Sequence, residues 1–344
     1  MSGLFAELGI EGPVVAAPMA GGASTPALVG AAARAGALGF LAGGYRTAED
    51  LGAQIRAVRE GGAAAFGVNV FAPNSVPVEA GEFRRYAERL RAECEPYGLD
   101  LGLAEPVEDD DRWGDKLELL LGDPVPVVSF TFGLPPGDAV ARLRRQGVLV
   151  LQTVTTPAEA RAAAAAGVDG LVVQAAAAGG HSATFTPDVW PREVPLPQLL
   201  REVAGAVRLP LVGAGGVGTA DDVAAALGAG AEAVMVGTAL LRADESGASA
   251  VHKAALAERP AAGTILTRAF SGRPARAIRN GFVERHHAHA PVGYPALHHL
   301  TTPLRRAAAA AGDADRVHLW AGTGFPHGQA RPAGEVLHGL AGKA

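Results

Sequence analysis

The chain has 344 residues, 49% of them hydrophobic but only 5% aromatic, with a formal net charge of -5 and a pI near 6.1. This length buries a large core in one big domain or two, and the Ala, Val and Leu bulk favours parallel strands covered by helices over an aromatic-rich sandwich. The balance offers no basic face for nucleic acid, no apolar run reaches the roughly eighteen residues of a membrane span, and no signal core opens the chain, so the expected location is cytoplasmic with no membrane partner.

Apolar runs ending in glycine or polar residues predict eight strands, near 14–17, 38–41, 65–70, 125–132, 148–154, 170–174, 209–213 and 233–237, with helices between most of them. An Ala-rich helix, a glycine and a short apolar strand recur at 31–41, 162–173 and 224–236, with Gly36, Gly167 and Gly230 in the connections. That repeat predicts a TIM (β/α)8 barrel over 1–242. Residues 72–123 exceed one crossover and predict an inserted helical piece, while 243–344 form a helical and loop extension that contributes a substrate region and lid. Cys94 is the sole cysteine, which excludes an intrachain disulfide; it lies in a charged run whose carboxylates oppose a thiolate.

Chemistry is expected at the strand ends. The run Leu171-Val-Val-Gln174-Ala-Ala-Ala-Ala-Gly179-Gly180-His181 carries an apolar strand into an amide, a flexible turn and one histidine. Strand carboxyl ends are where α/β barrels place ligands, and imidazole moves protons most readily near neutral pH. Downstream, Gly213-Ala-Gly215-Gly216-Val-Gly218 and Ala233-Val-Met235-Val236-Gly237-Thr238 read as buried strands stopping in glycines before helices. Backbone N–H groups there, with the positive end of the following helix, suit a phosphate. The histidines at 286, 287, 289, 298 and 299 lack the ligand spacing of a zinc site, and a polar lid or surface loop is expected of them. Tyr294 and His298, four apart, either line the pocket or pack elsewhere.

Six segments in register, Pro18-Met19-Ala-Gly21-Gly22, Gly39-Phe-Leu-Ala-Gly43-Gly44-Tyr45-Arg46-Thr, Phe66-Gly-Val-Asn69-Val-Phe, Ser129-Phe-Thr-Phe-Gly133, Gly179-Gly180-His181 and Leu319-Trp320-Ala-Gly322, resemble the nitronate monooxygenases, formerly 2-nitropropane dioxygenases. The resemblance runs from near Pro13 to Gly324. It implies an FMN enzyme that oxidises alkyl nitronates or nitroalkanes with O2 to a carbonyl product and nitrite. The partners it implies are that small-molecule substrate and O2, and it leaves room for a homodimer. Asn69 and Gln174 match the family's amides near the flavin ring, although both also suit strand-end caps. Met19 and the Gly179 backbone would lie against the ring, the phosphate would rest on Gly215, Gly216, Gly237 and Thr238, and Gly180, Met235 and Val236 complete the implied cofactor-binding set. His181 matches the active-site histidine, acting as base on a nitroalkane or stabilising a nitronate anion.

This sequence departs from the family at Ala175 and Ala177, which stand where a glycine and a glutamate are common, and at Thr323, where an amide is common. Loss of the carboxylate is expected to lower the imidazole's proton affinity. Three other readings share the pattern: an FMN- and NAD(P)H-dependent enoyl-acyl-carrier-protein reductase, a non-redox phosphate-binding lyase or isomerase, and a flavin-binding protein without catalysis.

Overall fold

A computed structural model describes residues 3–10, 12–74, 76–101 and 104–342. Eight parallel strands, β1 (Val14–Ala16), β2 (Phe40–Ala42), β3 (Gly67–Phe71), β4 (Val127–Thr131), β5 (Leu149–Val154), β6 (Gly170–Gln174), β8 (Leu211–Ala214) and β9 (Ala233–Val236), lie in the order β1-β9-β8-β6-β5-β4-β3-β2. A parallel bridge between Ala16 and Gly39, with the Ala16 N–H donating to Leu38 O at 2.8 Å, joins the two ends and closes the TIM barrel. All eight expected strands are present, with ends shifted by up to two residues.

Local chemistry explains the repeat. Thr25, Thr47, Thr156 and Thr219 each accept a backbone N–H in the first turn of helices α1 (Pro26–Arg34), α2 (Ala48–Glu60), α7 (Pro157–Ala165) and α9 (Ala220–Gly228). Each such cap stabilises its helix by about 1 kcal/mol. At the other helix ends Gly36, Gly167 and Gly230 take positive φ, the turn that sends the chain back into a strand.

Strand alternation then sorts the core. Val68, Val70, Val128, Phe130, Val150, Val154, Leu171 and Val173 face the helices, while Val127, Leu151, Val172, Val212, Ala233 and Met235 fill the barrel with Phe5 and Phe40. Helix α5 (Trp113–Gly122) is the β3-to-β4 crossover, burying Trp113, Leu117 and Leu120 against the barrel. Beyond residue 242 the chain leaves the barrel and returns. Helix α13 (Ala333–Leu340) buries Ala333, Leu337 and Leu340 in the barrel's outer core beside α1, so the helical ring draws on both ends of the sequence.

The insertion and the extension share a second core. Phe83, Tyr86, Leu90 and Cys94, from α3 (Ala80–Arg89) and α4 (Arg91–Cys94), pack on Phe270, on Phe282 of α11 (Gly281–His286) and on Leu297, Leu300 and Leu304 of α12 (Ala296–Ala310). Glu93 ties the pieces together: Arg285 Nε lies 2.5 Å, Arg316 Nε 2.8 Å and His286 Nε2 2.9 Å from its carboxylate. Burial pushes this carboxyl up, but the Arg285 and His286 contacts outweigh that and hold it at about 2. Burial raises the Cys94 thiol to about 11, followed by the effect of Glu93, so it is inert at neutral pH.

The histidine-rich stretch is divided: His289 is exposed, as expected of a surface loop, while His286 and His298 are not. His286 is buried on α11 and His298 lies in a cavity wall on α12, because each finds a polar or aromatic partner: Glu93 for His286, and Tyr45, stacked at 4.1 Å, for His298. Among the described residues no group of three or more His, Cys, Asp or Glu side chains is arranged for a metal ion. None of their helices is long and apolar enough to cross a membrane.

Candidate active site

The carboxyl ends of the barrel strands open into a cavity of about 480 Å3, a size suited to a cofactor or substrate. Strand parity puts polar residues there. Thr131, Thr153 and Gln174 are the last cavity-facing residues of β4, β5 and β6, Asn69 precedes Phe71 on the same face of β3, and all line it. Met19, Gly179, Gly180, His181, Gly215, Gly216, Met235, Val236, Gly237 and Thr238 line the same cavity, as does His298, whereas Tyr294 and Gly218 are not among its lining residues.

Asn69 is held by its nitrogen, which donates to Ser129 O at 3.1 Å, Ser129 Oγ at 2.9 Å and Thr131 Oγ1 at 2.9 Å. Its Oδ1 is therefore the acceptor left for a ligand. Gln174 is committed differently. Its Nε2 donates to His181 O at 3.3 Å and its Oε1 accepts from Ala183 N at 2.8 Å, so the amide fixes the segment carrying His181.

That segment is more than a turn. Gly180–His181 form a short strand, β7, paired antiparallel with β11 (Ala275–Ile278), which pairs in turn with β10 (Thr264–Thr267). Long-range pairing of this kind leaves no local signature. The preceding alanines pack on the phosphate-loop glycines and on the carboxyl-terminal loop. A Cβ on Gly215 would lie 2.8 Å from Ala178 N, and Thr323 N donates to Ala177 O at 3.0 Å. Gly179 approaches Gly322 so closely that a Cβ would lie 2.5 Å from the Gly322 nitrogen.

His181 Nε2 lies 2.8 Å from Ser271 Oγ, and the ring is surrounded by Phe132, Tyr294 and Trp320, with centroids 5.9, 5.7 and 5.3 Å away. Burial, then the charges of Arg273 and Arg305, lower its pKa to about 3, so the imidazole is neutral. Arg273 is fully buried: Nε donates to Ser182 O at 3.1 Å, Nη2 donates to Thr184 O, and the guanidinium lies 3.9 Å over the Phe132 ring. Phe132 takes φ +84°, costing on the order of 1–3 kcal/mol for a bulky residue, and its ring packs 4.4 Å from Phe71 and beneath Arg273. Sequence reasoning missed Ser271, Arg273 and Arg305. Only Arg305 carried a usable signal, since Tyr294, His298 and Arg305 follow helical spacing.

The phosphate cradle is only partly as expected. Gly215 and Gly216 adopt φ +104° and +80°, as their turn requires. The end of helix α9, however, is closed by its own Asp222, whose Oδ2 accepts from Gly218 N and Thr219 N at 2.9 Å each. The N–H groups of Gly216, Val217, Gly237 and Thr238 make no hydrogen bond to the described protein. Four open donors on the wall of a ligand-sized cavity, with the Asn69 acceptor across it, fit a phosphate-bearing flavin. Thr238 Oγ1 accepts from Gly322 N at 2.9 Å and keeps its own proton to donate. The Met19 sulfur would lie 3.4 Å from a Cβ on Gly237, packing this loop from below.

The nitronate monooxygenase family model matches residues 3–341. A probable nitronate monooxygenase of Staphylococcus aureus strain Newman is 33% identical over 342 residues, 97% of this chain and 94% of its own. Among solved structures, nitroalkane oxidase from Streptomyces ansochromogenes superposes with TM-score 0.92 and 46% identity, covering 98% of this chain and 97% of its own. FabK from Thermotoga maritima superposes with TM-score 0.76 at 24% identity over 100% of this chain and 96% of its own, a likeness of fold alone. With the match extending over barrel, insertion and extension alike, this chain is an oxidoreductase belonging to the nitronate monooxygenase family, whose members are flavin enzymes.

Proposed function

We propose that this enzyme binds FMN and oxidises anionic alkyl nitronates with O2 to a carbonyl product and nitrite. The observation that carries the substrate preference is the pair of buried guanidinium groups near His181, Arg273 stacked 3.9 Å over the Phe132 ring and Arg305 in the cavity wall; burial and these charges together favour the neutral imidazole. A base whose conjugate acid has a pKa near 3 removes a carbon-bound proton poorly. A nitronate has already lost that proton, and its negative charge is favoured by Arg273 and Arg305. The bound flavin would supply the electron-transfer chemistry and the reaction with O2.

The protein's own contribution is placement. Asn69 would accept from the flavin's polar edge, and Gly216, Val217, Gly237 and Thr238 would donate to its phosphate. Ser271 donates its proton to His181 Nε2 at 2.8 Å more favourably than to Arg273 O at 3.4 Å. With Nε2 accepting, Nδ1 carries the proton of the neutral ring and becomes the donor that orients a nitronate oxygen. The opposite tautomer, with Nδ1 as base, belongs to a second reading, oxidation of neutral nitroalkanes, which the Streptomyces nitroalkane oxidase neighbour favours.

The test is purification followed by anaerobic mixing. A yellow protein that releases FMN by mass, and whose flavin band is bleached by a nitronate but not by NADPH, supports the proposal. Reduction by NADPH alone supports the enoyl-acyl-carrier-protein reductase reading, and a colourless protein that does not take up FMN overturns the flavin assignment.

A further inference from the structure

Resting on that reading of the cavity as an anion-oxidising site, we propose that Arg305 is the residue that recognises the substrate's anionic oxygen group. Arg305 sits on the third turn of α12 and lines the cavity, with only 7% of its surface exposed. Its protein contacts all go to neutral acceptors. Nε donates to Thr301 Oγ1 at 3.0 Å, and Nη2 to Thr302 Oγ1 at 2.7 Å, His298 O at 2.9 Å and His298 Nδ1 at 3.3 Å. Among the described residues no carboxylate pairs with it. Arg285 and Arg316 share Glu93, and Arg276, at 5% side-chain exposure, pairs with Glu193, whereas buried Arg273, like Arg305, bonds only neutral acceptors.

A buried guanidinium without a counter-ion is costly, and in a cavity wall an anionic ligand is what removes that cost. The pattern of bonds says which atom meets it. Nε and Nη2 are spent on α12, which fixes the plane of the fork, and Nη1 has no partner among the described residues. Nη1 is also absent from the buried polar atoms cut off from contact, unlike the Nη1 of Arg273, which is sealed behind Phe132. Arg306, the other arginine on the cavity wall, is exposed to solvent, so Arg305 is the buried cation that a ligand in the cavity can reach, and Arg273 acts on it only through its field.

The same contacts prepare a second group. An arginine can only donate, so the His298 Nδ1 at 3.3 Å from Nη2 must accept, which places the proton of this neutral ring on Nε2. His298 is stacked at 4.1 Å on Tyr45, whose hydroxyl meets that of Tyr294 at 3.2 Å, and Tyr294 borders His181. Arg305 therefore sets the far end of a wall that runs to the reactive histidine.

Nitrate, a planar inert anion with the O–N–O geometry of a nitronate, is the probe. Calorimetric titration of the yellow wild-type protein is expected to show one nitrate site, weakened at least tenfold in Arg305→Gln and by a smaller factor in Arg305→Lys, which keeps the charge but loses the fork. Binding of a neutral nitroalkane of similar size is expected to change less than threefold in both variants. A wild type that does not bind nitrate, or an Arg305→Gln protein that binds it as tightly as wild type, overturns the assignment. So does an equal loss for nitrate and the neutral nitroalkane in Arg305→Lys, a variant whose fold is checked by its far-ultraviolet dichroism. Failure of the flavin assignment is seen separately, as a colourless protein before any anion is added.

Discussion

Burial beside two guanidinium groups decides what the His181 side chain does at neutral pH. With its pKa lowered to about 3, the imidazole does not titrate between pH 5 and 8, and kcat/KM for a nitronate is predicted to show no inflection near 6.5 in a stopped-flow pH profile. Replacing His181 with Ala removes one oriented donor and is expected to lower kcat about a hundredfold, the scale of a lost anion-stabilising hydrogen bond. A variant as fast as wild type on nitronate would remove His181 from the reaction. Residue identity was well legible here, since the twelve positions read from the sequence share one cavity. Their bonding was not. Gln174, expected near the flavin ring, lines the cavity, but its amide also bonds the backbone of residues 181 and 183, and such long-range partners have no sequence pattern.

The elements that carry the site are held by close backbone approaches and one buried carboxylate. A Cβ on Gly179 would fall 2.6 Å from the Ala321 carbonyl carbon and 2.5 Å from Gly322 N, so Gly179→Ala must part β7's entry from the carboxyl-terminal loop. The predicted result is at least a tenfold loss of FMN affinity, measured by flavin fluorescence on titration, because Gly322 N also braces Thr238. Glu93→Ala leaves Arg285, Arg316 and His286 without their shared anion, and is expected to cost about 3 kcal/mol of stability in a urea titration. The βα repeats were legible because an Ala-rich helix, a connecting glycine and a short apolar strand are local signals. The second core was legible only as excess length: its halves, Phe83 to Cys94 and Phe270 to Leu304, are far apart in sequence and meet through apolar packing and the polar contacts of Glu93.

Across the whole molecule, the barrel supplies a floor and the insertion and extension supply a roof, and four half-buried histidines line the cavity. Burial lowers His181 to about 3 and His252 to about 4, and lowers His298 and His318 well below 6.5. A histidine whose pKa falls on folding takes its proton first in the unfolded chain, so its stabilisation is complete above pH 6.5 and is lost as pH drops toward the folded value. Each such group removes up to about 1.4 kcal/mol per pH unit, and together they predict a fall of about 3–5 kcal/mol between pH 7 and 5.5 in denaturant titrations. A pH-independent unfolding free energy would mean these rings are already solvated. The central claim is that this site takes an anion whose proton is already gone. Its most direct test is anaerobic stopped-flow reduction of the flavin by a freshly prepared nitronate and by the neutral nitroalkane of the same carbon skeleton. The prediction is at least tenfold faster reduction by the nitronate, with most of that rate lost in Arg305→Gln; faster reduction by the neutral nitroalkane, abolished in His181→Ala, would contradict it.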